Sequence, residues 1–246
     1  MQTIDQYSSS QSSGILIQGP PGSGKTTLAC QFPAPYVLDC DLNLKGTIKY
    51  LKANKLPLPV GFDTIDFDDK GKEVPIAQAY ARVAKCLKEA INCPEIKTII
   101  VDGTTRLSDY ILADIMRVQN ITQMRIQDWG SYLATWKKFI TEMRSACFKA
   151  GKTFVLIAHE RPEKDDVDGV IKYFINLPGQ IAPLLGGMMS DVWRCEVEER
   201  AGKHAWKVRT LPSVRADLKN SMGLPASFNA TVEELTKLLK EQEVTK

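Results

Sequence analysis

Four short runs of apolar residues divide the first two thirds of the chain. They lie at residues 14–18, 36–41, 98–102 and 153–159, and longer amphipathic stretches separate them. Continuous apolar runs of this length are typical of strands that are buried on both faces of a parallel sheet. The pattern therefore predicts four buried strands, three of which end in acidic residues or a histidine.

The stretches between these runs carry apolar residues at helical spacing. Apolar side chains recur along residues 76–91, directly after Pro75, which suits the first turn of a helix. Further helices are predicted at about 108–119 and from residue 129 to Gly151, with Asp128 as the N-cap of the latter. A short helix follows the first strand, because prolines soon stop it. Strand and helix thus alternate, which predicts an α/β fold with a mostly parallel central sheet flanked by helices.

The C-terminal third is richer in charge and in turn residues. Residues 160–180 are charged and loop-like, with a hairpin turn at Asp168 and Gly169 before a strand at 170–174. Strands at 192–197 and 205–209 predict a C-terminal β-hairpin. Thr231 and Glu234 have the spacing of a capping box that opens a final amphipathic helix. The predicted divisions are a flexible Ser/Gln-rich leader at 1–13, an α/β core at 14–228 and a C-terminal helix at 229–246.

The composition is that of an ordinary globular protein, since 43% of the 246 residues are hydrophobic and 25% are charged. No apolar stretch approaches the roughly 18 residues that span a bilayer, and the N-terminus has no signal pattern. This predicts a cytoplasmic protein without a membrane partner. The six cysteines include no C-x-x-C pair, which favours buried reduced thiols over disulfides or zinc ligands. The formal charge of +3 is only a weak argument for a nucleic-acid partner.

The strongest chemical signal is the sequence GPPGSGKT at residues 19–26, which satisfies the pattern G-x-x-x-x-G-K-[ST] in full. Binding a triphosphate requires backbone N–H groups that converge on the anion, and glycines permit the conformations that this needs. Lys25 then reaches the β- and γ-phosphates, Thr26 ligates Mg²⁺, and the N-terminus of the next helix adds partial positive charge. The pattern predicts an ATP and Mg²⁺ site formed by Gly19, Pro20, Pro21, Gly22, Ser23, Gly24, Lys25, Thr26 and Thr27.

Polar residues at other strand ends are candidates for the rest of the site. Asp102 ends the third apolar run, where P-loop folds place the carboxylate that holds the Mg²⁺ shell; a residue that only caps the strand is the alternative. Gly103 follows it instead of the glutamate usual in many AAA-type ATPases, so the group that activates water must come from elsewhere. Asp41 is preferred over Asp39 for this role, with a plain turn acid as the alternative. His159 could sense the γ-phosphate or be structural.

Two segments carry the positive charge that a polyanionic partner needs. One is the segment 200–219, in which Asp217 is the only acidic residue. Its basic residues are Arg200, Lys203, Lys207, Arg209, Arg215 and Lys219. Such a run is often a solvated face, but it could contact nucleic-acid phosphates or reach the ATP of a neighbouring subunit. The 160–180 segment offers charge and stacking faces to single-stranded DNA, although its acids Glu163, Asp165, Asp166 and Asp168 argue against strong binding. Its candidate residues are Lys164, Lys172, Tyr173 and Phe174.

The order of these motifs resembles the RecA-like recombinase core. GPPGSGKTT, YVLDCD, TIIVDG and FVLIAHE follow one another, and WKVRTLPSVRADLKN comes after them. More narrowly, GKTTLACQFPAPYVLDCD, IAHE and ADLKNSMGLP are similar to the small phage-type RecA-like ATPases of single-strand annealing and recombination. The resemblance covers residues 14–225, and within it only the phosphate loop is specific by itself.

The resemblance implies roles for individual residues. Lys25, Thr26 and Asp102 bind nucleotide and metal, and Asp41 replaces the water-activating glutamate with a shorter acid, which implies slow hydrolysis. His159 couples the γ-phosphate to a DNA-binding loop at 160–180. The cations implied to reach the ATP of a neighbouring subunit are Arg209, Arg215 and Lys219. Neither a separate N-terminal polymerisation domain nor a large C-terminal domain is expected, so self-association into a ring or filament would rely on the core.

These patterns together predict a RecA-like, DNA-stimulated ATPase that assembles on single-stranded DNA and promotes annealing or homologous recombination. A single-strand DNA-binding protein is a further expected partner. Two other functions remain open. One is an ATP-dependent scaffold in replication or repair that never touches DNA, and the other is a small-molecule kinase, for which the basic hairpin is a poor lid.

Overall fold

The computed structural model describes residues 14–166, 169–200 and 202–244, and one large sheet organises it. The strands are β1 (Gly14–Gly19), β2 (Pro35–Asp39), β3 (Gly61–Thr64), β4 (Thr98–Asp102), β5 (Thr153–Lys164), β6 (Ile171–Ile175), β7 (Asp191–Arg200), β8 (Lys203–Arg209) and β9 (Ser227–Asn229). The helices are α1 (Lys25–Ala29), α2 (Leu44–Ala53), α3 (Ile76–Asn92), α4 (Thr104–Gln119), α5 (Trp129–Lys149), α6 (Ile181–Met188) and α7 (Val232–Val244). The described strands lie in the order β3-β2-β4-β5-β1-β7-β8-β9, and β6 pairs with β5.

The centre of the sheet is parallel, as the apolar runs predict. The strands from β3 to β7 in this order pair in parallel, whereas β8, β9 and β6 join by antiparallel pairing. Every residue of β1, β2 and β4 is buried. The predicted α/β fold with a mostly parallel sheet is confirmed, and the C-terminal β-hairpin is formed by β7 and β8.

Alternate residues of each central strand face two separate hydrophobic layers. In β1, Leu16 faces one layer, while Ile15 and Ile17 face the other. The first layer is covered by α3, α4, α5 and α6, and the second by α1, α2 and α7. Because helices cover both faces, the carboxyl ends of the parallel strands form the open edge, which is where ligands bind in such sheets.

Five short elements of the described structure are absent from the sequence-based prediction: α2, β3, α6, β9 and a 3-10 helix at Ile126–Asp128. α2 carries Leu44, Ile48 and Leu51 at helical spacing. The helix has only 10 residues and contains Gly46, so its sequence pattern is weak. α6 contains Pro183 and two glycines, which sequence rules treat as helix breakers. β3 and β9 lie at the two ends of the sheet and have only 4 and 3 residues, too few to give a periodic signal.

The description of residues 160–180 as loop-like is wrong for residues 160–164. β5 continues to Lys164 and pairs antiparallel with β6, so that Glu160 lies opposite Ile175 and Lys164 opposite Ile171. Inter-strand hydrogen bonds hold these charged residues in an extended conformation, which an apolar pattern does not reveal. The strand predicted at 170–174 is confirmed with a shift of one residue. The predicted turn residue Asp168 lies outside the described residues.

Two predicted helix caps differ from expectation. Asp128 directly precedes α5, but its carboxylate binds the backbone N–H and the guanidinium of Arg125 and makes no cap bond. The hydroxyl oxygen of Thr231 accepts a hydrogen bond from the N–H of Glu234 at 3.3 Å, which is one half of the predicted box. The other half is missing because the Glu234 carboxylate binds Asn229.

The C-terminal helix packs on the core, since Leu235 and Leu238 of α7 belong to the same hydrophobic layer as α1 and α2. The predicted leader at 1–13 lies outside the described residues. All six cysteines are free thiols, and five of them are buried. Among the described residues, no helix is both long and apolar enough to cross a membrane.

Candidate functional site

One edge of the sheet brings together polar residues from four neighbouring strands. β5 lies between β1 and β4, and β2 lies beyond β4. Gly19 at the end of β1 is in register with His159 of β5, and Asp102 at the end of β4 is in register with Asp39 at the end of β2. The strand ends that the sequence analysis selected therefore meet at one site.

The loop between β1 and α1 contains left-handed backbone at Gly22 and Gly24. Gly24, the N-cap of α1, has a φ of 81°, in the left-handed region that favours glycine. The Lys25 ammonium donates hydrogen bonds to the carbonyl oxygens of Gly19 and Pro20, at 2.9 and 2.8 Å, and so closes the loop. Burial lowers the pKa of Lys25, and the charge of Asp102 opposes this shift. A bound phosphate would replace the two carbonyls with a stronger, charged partner.

Thr26 and Asp102 form the pair that fits a magnesium ion. The Thr26 hydroxyl donates to Oδ2 of Asp102 at 2.6 Å, and only 6% of Asp102 is exposed. Burial raises the pKa of Asp102 to about 6, and the charges of Asp41 and Asp39 add to this effect. Hydroxyl and carboxylate oxygens are the ligands that Mg²⁺ prefers, and a cation here would compensate three carboxylates at one edge. Both the donor set and its charge therefore suit the ion.

The structure gives different surroundings to the two acids at the carboxyl end of β2, Asp39 and Asp41. Asp39 is 3% exposed, and its carboxylate accepts hydrogen bonds from the N–H groups of Asn43 and Leu44 at 3.2 and 2.9 Å. These bonds satisfy backbone donors at the start of α2, so Asp39 fixes the turn into that helix. Asp41 instead lines the same cavity as Lys25 and Asp102. Of the two acids, Asp41 faces the space in which a substrate can bind.

Asp41 is held between Gly103 and His159. A Cβ atom built on Gly103 would lie 2.5 Å from Cγ of Asp41 and 2.7 Å from its Oδ2, so position 103 has no room for a side chain. On the other side, Nε2 of His159 lies 3.5 Å from Oδ2 of Asp41. The Nδ1 atom of His159 is buried and has no hydrogen-bond partner among the described residues. His159 thus keeps one polar atom unused next to the end of β1.

The residue after His159 begins a charged network that leads into the β5–β6 hairpin. The side chain of Glu160 is 3% exposed and binds the guanidinium of Arg194 through hydrogen bonds of 2.9 and 2.8 Å. Arg194 also lies over the ring of Tyr173, with its central carbon 3.9 Å from the ring centroid. A buried bidentate ion pair fixes the relative position of the strands that carry it.

The four predicted DNA-binding residues all lie on this hairpin. Lys164 is exposed at the end of β5, whereas Lys172 forms an ion pair with Asp165 and Phe174 is half-buried. The N–H of Tyr173 donates to the carbonyl oxygen of Arg215 at 2.7 Å, which brings the exposed Arg215 beside the hairpin. Lys164 and Arg215 are therefore two exposed cations whose backbones lie in or beside this hairpin.

The other two predicted intersubunit cations are engaged within the chain. Arg209 binds Glu196 and Glu198, each at 2.6 Å, and Lys219 donates to the carbonyl oxygen of Met189 at 2.8 Å. Neither residue lines the cavity at the phosphate loop. Their contact with the ATP of a neighbouring subunit stays a prediction.

A cavity of 860 Å³ extends from the phosphate loop to the space between α2 and the C-terminal strands. It is lined in part by residues that the sequence analysis does not select, among them Gln31, Tyr50 and Trp206. The apolar spacing in α2 is a signal that could have drawn attention to Tyr50. No such signal exists for Trp206, because its indole contacts Gly22, which is 184 residues away.

A comparison with protein-family models agrees with this geometry. Residues 12–222 match the model described as an AAA domain. This range includes the phosphate loop and the residues Asp41, Asp102 and His159. No curated protein matches the chain.

Proposed function

The chain belongs to the AAA domain family of P-loop ATPases, and on this basis we propose that it binds ATP with Mg²⁺ at residues 19–26 and hydrolyses it. One observation carries the proposal: the carboxylate of Asp41 lies against Gly103, in the cavity that also contains Lys25 and Asp102. A carboxylate in this position supplies the water-orienting group that residue 103 itself does not provide.

The loop backbone, Lys25, Thr26 and Asp102 each have a defined role in this proposal. Backbone N–H groups bind the phosphate oxygens, and Lys25 turns from the carbonyls of Gly19 and Pro20 to the β- and γ-phosphates. Thr26 and Asp102 hold the magnesium ion. When bound, Mg²⁺ neutralises charge on the phosphates and so favours the transition state of phosphoryl transfer.

Asp41 accepts a hydrogen bond from the attacking water and orients it towards the γ-phosphate. It reaches the site from the end of β2 and occupies the space that Gly103 leaves at the end of β4. His159 lies beside it, and the buried Nδ1 atom of this residue has no hydrogen-bond partner among the described residues. Catalysis in this arrangement depends on positioning, because the protein forms no covalent intermediate with phosphate.

Steady-state hydrolysis and calorimetric binding of ATP test this proposal. Lys25→Ala is expected to lose most of the Mg²⁺-dependent affinity for ATP. Asp41→Asn is expected to keep its ATP affinity but to lose about 10²- to 10³-fold in kcat, the usual cost of removing a positioned catalytic group. An unchanged kcat in Asp41→Asn would exclude the assigned role, and a wild-type protein without affinity for Mg·ATP would refute the nucleotide site.

The finer part of the proposal is that the chain assembles on single-stranded DNA and promotes annealing or homologous recombination. Its support is the continuity of β5, which runs from His159 in the site to Lys164 at the hairpin. Lys164 and Arg215 supply exposed positive charge there. ATP and DNA would then bind at two positions along the same β-strand, β5. Self-association into a ring or filament, with ATP between neighbours, and a single-strand DNA-binding protein as partner belong to this proposal.

Titration of fluorescent single-stranded DNA over a salt series tests the DNA partner. Several phosphate contacts should give a steep fall in affinity as the salt concentration rises. The double variant Lys164→Glu with Arg215→Glu should weaken binding and flatten the slope, whereas Lys137→Glu, an exposed lysine on α5, should not. DNA should also stimulate ATP hydrolysis in the wild type, and Lys25→Ala should abolish the stimulation.

A second candidate function is an ATP-dependent scaffold that binds a replication or repair protein. The acids of the same hairpin favour it, because Glu163 pairs with Arg161 and Asp165 pairs with Lys172, which reduces the charge available to DNA. The salt series separates the two candidates. A chain that hydrolyses ATP but binds no DNA at low salt in the presence of ATP would be assigned to the scaffold class.

A further inference from the structure

The 860 Å³ cavity is larger than a phosphate site requires. It begins at Lys25 and Thr26 and continues along α2, where Thr47, Tyr50 and Asn54 line it. Its opposite side is formed by residues of β8 and by the segment from β9 to α7. A volume of this size is typical of sites for small organic ligands, and the lining includes the loop residues where a triphosphate would bind.

Trp206 occupies the junction between the phosphate loop and the rest of the cavity. Its indole N–H donates to the carbonyl oxygen of Gly22 at 3.3 Å, and a Cβ atom on Gly24 would lie 3.3 Å from Cδ1 of the ring. The backbone of Trp206 is held on both sides, by pairing with Val197 in β7 and by the N–H of Ala230, which donates to its carbonyl at 2.9 Å. The backbone that carries the Trp206 ring is therefore fixed beside the phosphate loop.

The exposure of this ring indicates a missing contact. Although it packs on the loop, Trp206 is 45% exposed and lines the cavity. Leaving so much indole surface in water is unfavourable, and an aromatic ring at a cavity wall is a natural platform for another flat group. Tyr50, which is 51% exposed, lines the same cavity from α2.

Gln31 contributes an unused acceptor to the polar lining. The side-chain N–H of Gln31 donates to the carbonyl oxygen of Thr27 at 3.2 Å, which fixes the orientation of the amide. Its Oε1 atom is then buried without a hydrogen-bond partner among the described residues. Burying a carbonyl oxygen without a partner is costly, and the amino group of a nucleobase would be a suitable donor.

We propose that this cavity binds the nucleoside of the triphosphate, with the base stacked on Trp206. The inference rests on the proposed function, because it needs the phosphates in the loop. It extends that function by naming a base-binding residue far from the phosphate loop in sequence. Adenine fits best, since its amino group is the donor that Gln31 lacks.

Calorimetric titration with two ligands tests the inference separately from the phosphate site. Mg·ATP carries the nucleoside, whereas Mg·tripolyphosphate carries only the phosphates. Trp206→Ala is expected to raise the Kd of ATP about tenfold or more, the usual effect of losing a base–aromatic stack. The Kd of tripolyphosphate should stay within about twofold, which also shows that the loop of the variant is intact.

The outcomes distinguish the two proposals. If the wild type binds both ligands and Trp206→Ala leaves the ATP affinity unchanged, the base does not stack on Trp206, while the phosphate site stands. Equal losses for ATP and tripolyphosphate would mean that Trp206 only supports the loop, and this result would also overturn the inference. A wild type that binds neither ligand would remove the proposed function and the base site together.

Tryptophan fluorescence gives a second measurement with a matched control. ATP should change the emission of the wild type, and the change should disappear in Trp206→Phe. It should persist in Trp129→Phe, because Trp129 is 38% exposed at the start of α5 and does not line the cavity. A signal that survives in Trp206→Phe would contradict the stacking arrangement.

Discussion

The carboxylate of Asp41 occupies the space that a side chain at position 103 would need. The Cγ atom of Asp41 lies 2.5 Å from an ideal Cβ of Gly103, and Gly103 has a φ of 103°, which disfavours other residues. β2 and β4 are neighbours in register, so two residues that are distant in sequence share one position at the sheet edge. Gly103 is therefore part of the proposed catalytic arrangement, because it lets Asp41 reach the phosphate site.

The first prediction concerns Gly103→Ala. Its methyl group should displace the Asp41 carboxylate and lower kcat by about 100-fold, since a misplacement of about 1 Å in a catalytic group costs that much. Steady-state ATP hydrolysis measures the effect. Gly130→Ala is the matched control, because a Cβ on Gly130 meets no atom within 4 Å. A Gly103→Ala protein with wild-type kcat would show that the position of Asp41 does not matter.

The second prediction is that Asp39 contributes mainly to the stability of the fold and Asp41 mainly to kcat. Asp39→Asn weakens the two bonds to the start of α2 and should lower the free energy of unfolding by about 1 kcal/mol. Its effect on kcat should be smaller than that of Asp41→Asn, which should leave stability nearly unchanged. Urea unfolding and ATP hydrolysis are measured on both variants. Equal losses of kcat in the two would contradict this division of roles.

The third prediction is a dependence of magnesium binding on pH. The pKa of Asp102 is about 6, so a proton competes with Mg²⁺ for the carboxylate below that pH. The Mg²⁺-dependent part of the ATP affinity should fall by up to about tenfold for each pH unit below 6 and be constant above it. Titrations without Mg²⁺ correct for protonation of ATP itself. Asp102→Asn should have a weak and pH-independent response to Mg²⁺; a flat profile in the wild type would refute the assignment.

The fourth prediction concerns the buried ion pair that ties the hairpin to the site. Arg194→Met leaves Glu160 buried without its partner and should lower the free energy of unfolding by about 3–5 kcal/mol. Adding Glu160→Gln should restore much of the loss, and a double-mutant cycle in urea measures the coupling. The control is Arg161→Met, since the Arg161–Glu163 pair is 45% and 49% exposed and should contribute less than about 1 kcal/mol. Additive losses at Glu160 and Arg194 would contradict the coupling.

The fifth prediction tests the acceptor at Gln31 in the cavity. ATP offers an amino group to Oε1 of Gln31, whereas inosine triphosphate offers a carbonyl oxygen at the same place. ATP should therefore bind about fivefold more tightly, the effect of about 1 kcal/mol from one hydrogen bond. Gln31→Met should remove the difference. Competition titrations against a fluorescent nucleotide measure both, and equal affinities of the wild type for the two nucleotides would exclude the contact.

Features that depend only on residues close to one another in the chain could be predicted from the sequence. The phosphate loop is one contiguous segment, so its spacing alone indicates which residues can surround a phosphate. The strands β1, β2, β4 and β5 are apolar runs that need no knowledge of their neighbours. Asp102 also follows from its place at the end of such a run. Local backbone geometry and burial act over a few residues, and a sequence displays them directly.

Only the tertiary structure decided how distant segments complete the site. It shows that Asp39 binds the start of α2 while Asp41 lines the cavity, places Asp41 over Gly103, and brings Trp206 to the loop from 184 residues away. These relations depend on the order of strands in the sheet, where neighbours in space are not neighbours in the chain. Packing between such segments leaves no periodic pattern, because each contact involves one or two side chains whose spacing in sequence is arbitrary.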